Sequence, residues 1–359
     1  MTDSSSDVKK QYHSGIVRKI LLISVGLLLV IIFSIMACSL GTGISFVDTY
    51  GYIWDHLNGA VYESGTSDFW NDYYIWNNVM PSVVISIVAG AGLAIGGTVM
   101  QSIMGNPLAD PYTTGISSGA CLGAVLAIVI GFSMTSGTGQ YGIISNAFIF
   151  ALIPAFLVIL LSKRVGNSPA TIILIGVALS YFFDAFVTYL MSVTDTDSLQ
   201  DAYIWQIGSV TGVGWADVPI MVIAVVLSSI VVYLTSEKLN LLMLGDDSAK
   251  SLGLNVEQFR TLCLILLSVL TAAVIAYTGI IGFVGLVSPH IARLIIGGNN
   301  KFVLPASMVV GAAMLALSNM VARSIMYSVD LPVGVVMSFI GAPIFLYLIL
   351  RKKSNEEIY

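Results

Sequence analysis

Apolar residues run in long stretches along this chain, and polar or turn-forming residues separate them. The stretches fall at 20–40, 80–102, 112–132, 142–162, 169–192, 218–236, 259–279, 281–297, 303–325 and 333–350. A helix of about 20 apolar residues crosses the hydrocarbon layer of a bilayer. The pattern therefore predicts an all-α fold, a polytopic transmembrane helical bundle of about ten spans. It predicts one domain over 1–359, with tails at 1–19 and 351–359 and the bundle at 20–350. The map is least sharp at 279–281, where two spans meet with almost no loop. A cleaved signal is the other reading of the first stretch, since Ile35-Met36-Ala37-Cys38 is close to a lipoprotein cleavage box. A signal core takes about 7–15 residues. This run is longer, so we read it as a retained span.

Composition agrees with lipid as the solvent. The chain is 57% hydrophobic and 10% charged, where a soluble domain carries about 25% charged residues. A net charge of −5 speaks against a nucleic-acid partner. Lys and Arg concentrate in cytoplasmic loops of membrane proteins. With the amino terminus inside, Lys163, Arg164, Lys238, Lys250, Arg260, Arg293, Lys301 and the basic residues of both tails fall on the inner side, and only Arg323 falls outside. Both termini are then cytoplasmic, in a multi-pass protein of the cell (plasma or inner) membrane. The outer loop 41–78 carries Asp48, Asp55, Glu63, Asp68 and Asp72 with no Lys or Arg, among many Tyr and Trp. Such aromatics suit the headgroup level or a partner surface. Cys38, Cys121 and Cys263 each stand alone in apolar sequence and read as small core residues.

Several segments break the apolar pattern. In Gly105-Asn-Pro-Leu-Ala-Asp-Pro111 the two prolines cannot sit in a regular helix. Asn106 and Asp110 each precede a proline, Pro107 and Pro111, which favours extended or turn geometry. The inner loop 237–258 holds a short helical signal: Asp246 or Asp247 as cap, Ser248 to Leu252 as helix, Gly253 as stop. Leu241, Leu242, Leu244, Leu252 and Leu254 are too apolar for a free loop. They need the bundle, the headgroups or another protein as partner, and the residues leave that choice open. His290, beside Pro289, reads as a structural histidine, with a proton relay or ligand as the sharper alternative. Asp184 is the carboxylate deepest in a span, with Ser180 and Thr188 near it. An intramembrane acid faces the bundle interior or a water-filled path, so pathway lining and helix–helix hydrogen bonding both stay open.

The sequence holds no Gly-x-x-x-x-Gly-Lys-Ser/Thr phosphate loop and no His-Glu-x-x-His pair. ATP, if used, would be bound by another chain. An intramembrane enzyme lacks its constellation, and an ion-gradient-driven secondary transporter, the alternative to an ATP-driven one, usually needs several buried ionisable groups.

Taken together, the motifs resemble the FecCD-type, BtuC-like permease family of ABC importers. The resemblance rests on Gly105-Asn-Pro-Leu-Ala-Asp-Pro111, Trp205-Gln-Ile-Gly-Ser209, Leu244-Gly-Asp-Asp-Ser-Ala-Lys-Ser-Leu-Gly-Leu254, Gly282-Phe-Val-Gly-Leu-Val-Ser-Pro-His290, Val321-Ala-Arg323, Leu331-Pro-Val-Gly-Val335 and Gly341-Ala-Pro343, in family order. It implies a homodimer of ten-span subunits with cargo passing along the dimer axis beside 169–192 and 333–350. It implies two cytosolic ATPase subunits below and an extracytoplasmic substrate-binding protein above. The chain itself would hold no cofactor and catalyse no reaction. Cargo in the family is an iron–siderophore, haem or cobalamin. The resemblance resolves the partner of loop 241–258 as the ATPase, with Leu241, Leu244, Gly245, Asp246, Asp247, Lys250, Leu252, Gly253 and Leu254 in the coupling segment. One departure stands out. The family opens its second span with Arg-Leu-Pro-Arg, whose arginines pair with acids on the binding protein, but this chain reads Val79-Met80-Pro81-Ser82. Only Arg323 keeps the basic pattern and is the expected docking residue.

Overall fold

The computed structural model describes residues 3–135, 139–325 and 331–356, so the last residues of the predicted tail 351–359 lie outside the described residues. No strand occurs among the described residues. The first half of the chain gives α1 (Asp3–Ser39), α2 (Phe46–Leu57), α3 (Ser67–Tyr74), a π-helical turn (Ile75–Val79), α4 (Met80–Met104), a 3₁₀ turn (Pro111–Thr114), α5 (Ile116–Ile130) and α6 (Gln140–Val165). The second half gives α7 (Pro169–Val193), α8 (Thr196–Ile207), α9 (Val218–Leu234), α10 (Ser236–Leu242), α11 (Asp246–Ser251), α12 (Val256–Thr278), α13 (Val284–Ile296), α14 (Asn300–Ile325) and α15 (Val333–Glu356).

Each of the ten predicted spans is occupied by an apolar helix, but not all are full spans. Among the described residues, six helical runs are long and apolar enough to cross a membrane, or seven if α9 and α10, which bend by 61° at their junction, are counted together. Ile116–Ile130, Val284–Ile296 and Val333–Leu348 are shorter. At 1.5 Å per residue, α13 reaches only about 20 Å. Non-helical backbone completes the third and eighth spans. Such backbone survives at membrane depth only when protein satisfies it. Here the breaks satisfy one another. The Tyr112 hydroxyl donates to the Ile281 carbonyl at 3.1 Å. Ser209 N–H donates to Thr278 O at 2.7 Å and Gly334 N–H to Gly208 O at 3.0 Å. The short loop at 279–281 is thus a shared junction of three chain breaks.

The break at 105–115 folds by local chemistry. Asn106 Oδ1 accepts from Leu108 N–H at 2.9 Å, and Asp110 Oδ1 accepts from Tyr112 N–H at 2.8 Å, capping the 3₁₀ turn. Pro111 opens that turn, where a missing N–H costs nothing.

Helix α4 forms the centre and packs on α14, α13, α12 and α9. Two close approaches fix its neighbours. A Cβ on Gly97 would overlap the Gly285 carbonyl of α13, and one on Gly90 would overlap the Gly311 carbonyl of α14. Small residues let helix backbones meet in this way. Beyond α1 the polar loop 41–78 is a folded cap. His56 lies 2.9 Å from Asp72 and stacks on Trp76 at 4.0 Å. The Trp215 indole donates to the Trp76 carbonyl at 2.7 Å, joining the cap to the loop between α8 and α9. Desolvation and the bonded Asp55 carboxylate raise the Tyr62 phenol to about 12.

Candidate coupling and translocation site

The segment between α9 and α12 has two arms. The first arm, α10, buries Leu239 and Leu242. The second arm, α11, buries Ala249 and ends as expected at Gly253, whose φ of +87° suits a residue without Cβ. Leu254 N–H bonds to Ala249 O at 3.0 Å and Gly253 N–H to Lys250 O at 2.9 Å, the paired bonds of a Schellman stop. The start corrects the sequence reading. Gly245, not Asp246 or Asp247, is the N-cap, and no side chain caps the helix.

Asp246 is spent elsewhere. Its carboxylate forms a two-pronged ion pair with Arg260 of α12, Oδ1 to Nη2 at 2.6 Å and Oδ2 to Nη1 at 3.1 Å. The Arg260 side chain is 2% exposed. It also donates to Ile103 O at 3.1 Å and to Asn167 O at 2.7 Å. The sequence reading counted Arg260 only as an inner-side charge. The signal that could have found it is its place inside an apolar helix, four residues beyond Val256, where solvent is out of reach.

The predicted coupling residues therefore divide. Leu241 and Leu254 pack against the core, and Asp246 is paired. Leu244 and Leu252 stand 61% exposed, with Gly245, Asp247, Lys250 and Gly253 exposed beside them. These form an apolar tip with mixed charge and no cover within the subunit.

The predicted pathway residues lie on α7. Val177, Tyr181, Asp184 and Thr188 form an exposed stripe at helical spacing, while Ser180 is half-buried and bonds to Gly176 O at 2.9 Å. Thr188 bonds its hydroxyl to Asp184 O at 2.8 Å. No hydrogen bond reaches the Asp184 carboxylate among the described residues. A cavity of about 570 Å³ lies between α8 and α15, lined by Tyr203, Gln206, Ile207, Ile280, Gly282, Gly334, Val335, Ser338 and Phe339. Phe283, beside it, holds φ +67° and presses on Gly341 of α15. His290 is buried on α13, with Phe345 of α15 as ring neighbour at 6.5 Å, and Pro289 is buried beside it.

Arg323, the expected docking residue, is 8% exposed. It donates to Ser82 Oγ at 2.6 Å and to Asn319 Oδ1 at 3.3 Å. Its guanidinium is an internal tie between α14 and α4, so the structure does not present it at the subunit surface for docking.

Comparison with known proteins decides the family. The model of the FecCD transport family matches residues 23–351. The chain belongs to the FecCD transport family. This FecCD chain is 33% identical over 286 residues to the hemin transport system permease protein HmuU of Yersinia pestis, covering 79% of this chain and 86% of that one. It is 38% identical over 271 residues to the cobalamin import system permease protein BtuC of Halobacterium salinarum, covering 75% and 71%. A solved ABC transporter of metal-chelate type, in an inward-facing conformation, matches with a TM-score of 0.78 at 32% identity, over 92% of this chain and 98% of that one. The FecCD chain is thus an ABC importer permease, a multi-pass membrane protein whose relatives are transport subunits and not enzymes.

Proposed function

We propose that this FecCD permease works as a homodimer that moves a metal chelate or corrinoid inward by alternating access. Two cytosolic ATPase subunits drive it, and an extracytoplasmic binding protein delivers the cargo. Both termini face the cytosol. The observation that carries the reading is the tip made by Leu244 and Leu252, apolar and uncovered on the inner side of the bundle. Burying a leucine contributes about 1.5–3 kcal/mol, so the tip supports docking into a groove of another protein. The uncovered stripe of α7 and the cavity beside α15 support the dimer axis as the path. Alternating access then needs two packings of similar free energy, biased by nucleotide state on the partner.

The test replaces both tip leucines, Leu244→Asp with Leu252→Asp. Binding of the ATPase subunits is expected to weaken about 100-fold or more, with ATP-dependent uptake into vesicles lost. Uptake that persists without ATPase subunits, driven by membrane potential, would overturn the reading in favour of a secondary transporter. Cargo is settled by uptake in reconstituted vesicles of labelled haem, ferric siderophore and cobalamin in turn.

A further inference from the structure

We infer that Arg260 and Arg293 are positioning residues that lock both arms of the coupling segment to the inner end of α4, so that the segment and α4 move as one body. The inference rests on the reading of that segment as the ATPase dock.

Alone, the segment is badly built for transmitting force. Its helices α10 and α11 have seven and six residues, well below the length at which a helix holds itself. Gly245 at φ +95° and Gly253 at φ +87° bracket α11. A push on the exposed tip would be absorbed at those joints unless the arms were tied to something stiff.

Two arginines supply the ties, and they end on neighbouring residues of the same helix. Arg260 grips Asp246 at the start of α11 and donates Nε–H to Ile103 O. Ile103 lies in the last turn of α4, where carbonyls lack intrahelical partners and the helix dipole favours a cation. Arg293 of α13 donates to Ser102 Oγ at 2.9 Å and to Asn300 Oδ1 at 3.2 Å. Asn300 N–H in turn donates to Asn240 Oδ1 of α10 at 2.7 Å. So α11 reaches Ile103 through the Arg260 guanidinium, and α10 reaches Ser102 through Asn300, whose Oδ1 accepts from Ser102 Oγ at 3.0 Å, with the Arg293 guanidinium bridging the same two residues. A guanidinium is a rigid planar fork with five donors, so each tie fixes orientation as well as distance. Helix α4 is buried along most of its length, and at its outer end Ser82 holds Arg323. It is a stiff rod through the bundle, gripped at its foot by the dock.

A purely stabilising role would lower the amount of folded complex and leave its energetics alone. A latch changes how much substrate each ATP moves. The experiment reconstitutes the full complex with ATPase subunits and binding protein, and compares wild type with Arg260→Lys, Arg260→Gln and the swap Arg260→Asp with Asp246→Arg. Spin labels at Ser251→Cys and Leu108→Cys, both exposed, report the spacing between α11 and the turn that directly follows α4. The expected result is that ATP consumed per substrate rises about tenfold in Arg260→Gln, while the label spacing, narrow in wild type with and without ATP, broadens. Lys, which keeps charge but not the fork, should rescue only partly, and the swap should do better than either single change. If Arg260→Gln does not fold, Asp246→Asn, at the half-exposed end of the pair, is expected to move both readouts in the same direction. ATP per substrate within twofold of wild type, with unchanged spacing, would overturn the latch and leave the dock standing. Failure of the ATPase subunits to co-purify with the wild-type chain would instead overturn the dock on which it rests.

Discussion

At Asp184 a carboxylate sits on the uncovered stripe of α7 with Tyr181 and Thr188. A charged side chain at the centre of a lipid-facing helix costs about 2.5–3.5 kcal/mol. The sequence left pathway lining and helix–helix bonding open; the carboxylate lies on an exposed face of α7, and we propose that it lines the pathway. Asp184→Leu is accordingly expected to keep or raise the thermal midpoint while lowering uptake about tenfold or more, and a drop in the midpoint would mean that the carboxylate holds the bundle together. Glycines make the opposite kind of prediction. Gly97 touches the backbone of Gly285, so Gly97→Val should destabilise by about 1–3 kcal/mol or more. Gly51 has open space around its Cβ position, and Gly51→Ala in the same unfolding assay should be neutral or mildly stabilising.

Among the elements, the long apolar helices were legible because run length alone identifies them. What stayed hidden depends on pairing between distant segments. No periodicity announces that Tyr112 will meet Ile281, so two half-spans were read as full spans. The cap was read only as headgroup-level aromatics or a partner surface because the contact of His56 with Asp72 and Trp76 leaves no local trace. Arg260 looked like an ordinary topology charge and Arg323 like a docking residue, and burial turned both into ties. The coupling helix was half legible: Gly253 gave its end, while the pull of Arg260 on Asp246 changed its start. Helix α8 allows a check on local caps. The Ser198 N–H bond to the fully exposed Asp195 carboxylate holds it below the usual carboxylate range. A depressed value contributes above the unfolded carboxylate pKa, about 3.9, and is lost as pH falls through the folded one. Exchange of the Ser198 amide should therefore gain an extra acceleration only in that acid range. Asp195→Asn, which still caps, should remove this extra pH dependence.

For the whole molecule the informative contrast is between uncovered faces. Helix α9 exposes Ile220, Ile223, Leu227 and Ile230, and α1 exposes Leu21, Val25, Leu28 and Ile32. Both stripes are wholly apolar and suit lipid. The α7 stripe is long, poorly covered and carries Asp184 and Thr188, so lipid is the wrong neighbour for it. In the proposed homodimer the neighbour with matching chemistry is a second copy of the same stripe across a wet axis, since a two-fold contact brings a patch against itself. Cysteine placed at Tyr181 should then form a disulfide between two copies in native membranes, and cysteine at Ile223 should not. The background is low because Cys38, Cys121 and Cys263 are all buried. Cross-linking at Ile223 without cross-linking at Tyr181 would move the dimer face to α9, return Asp184 to a structural role and take the path away from α7.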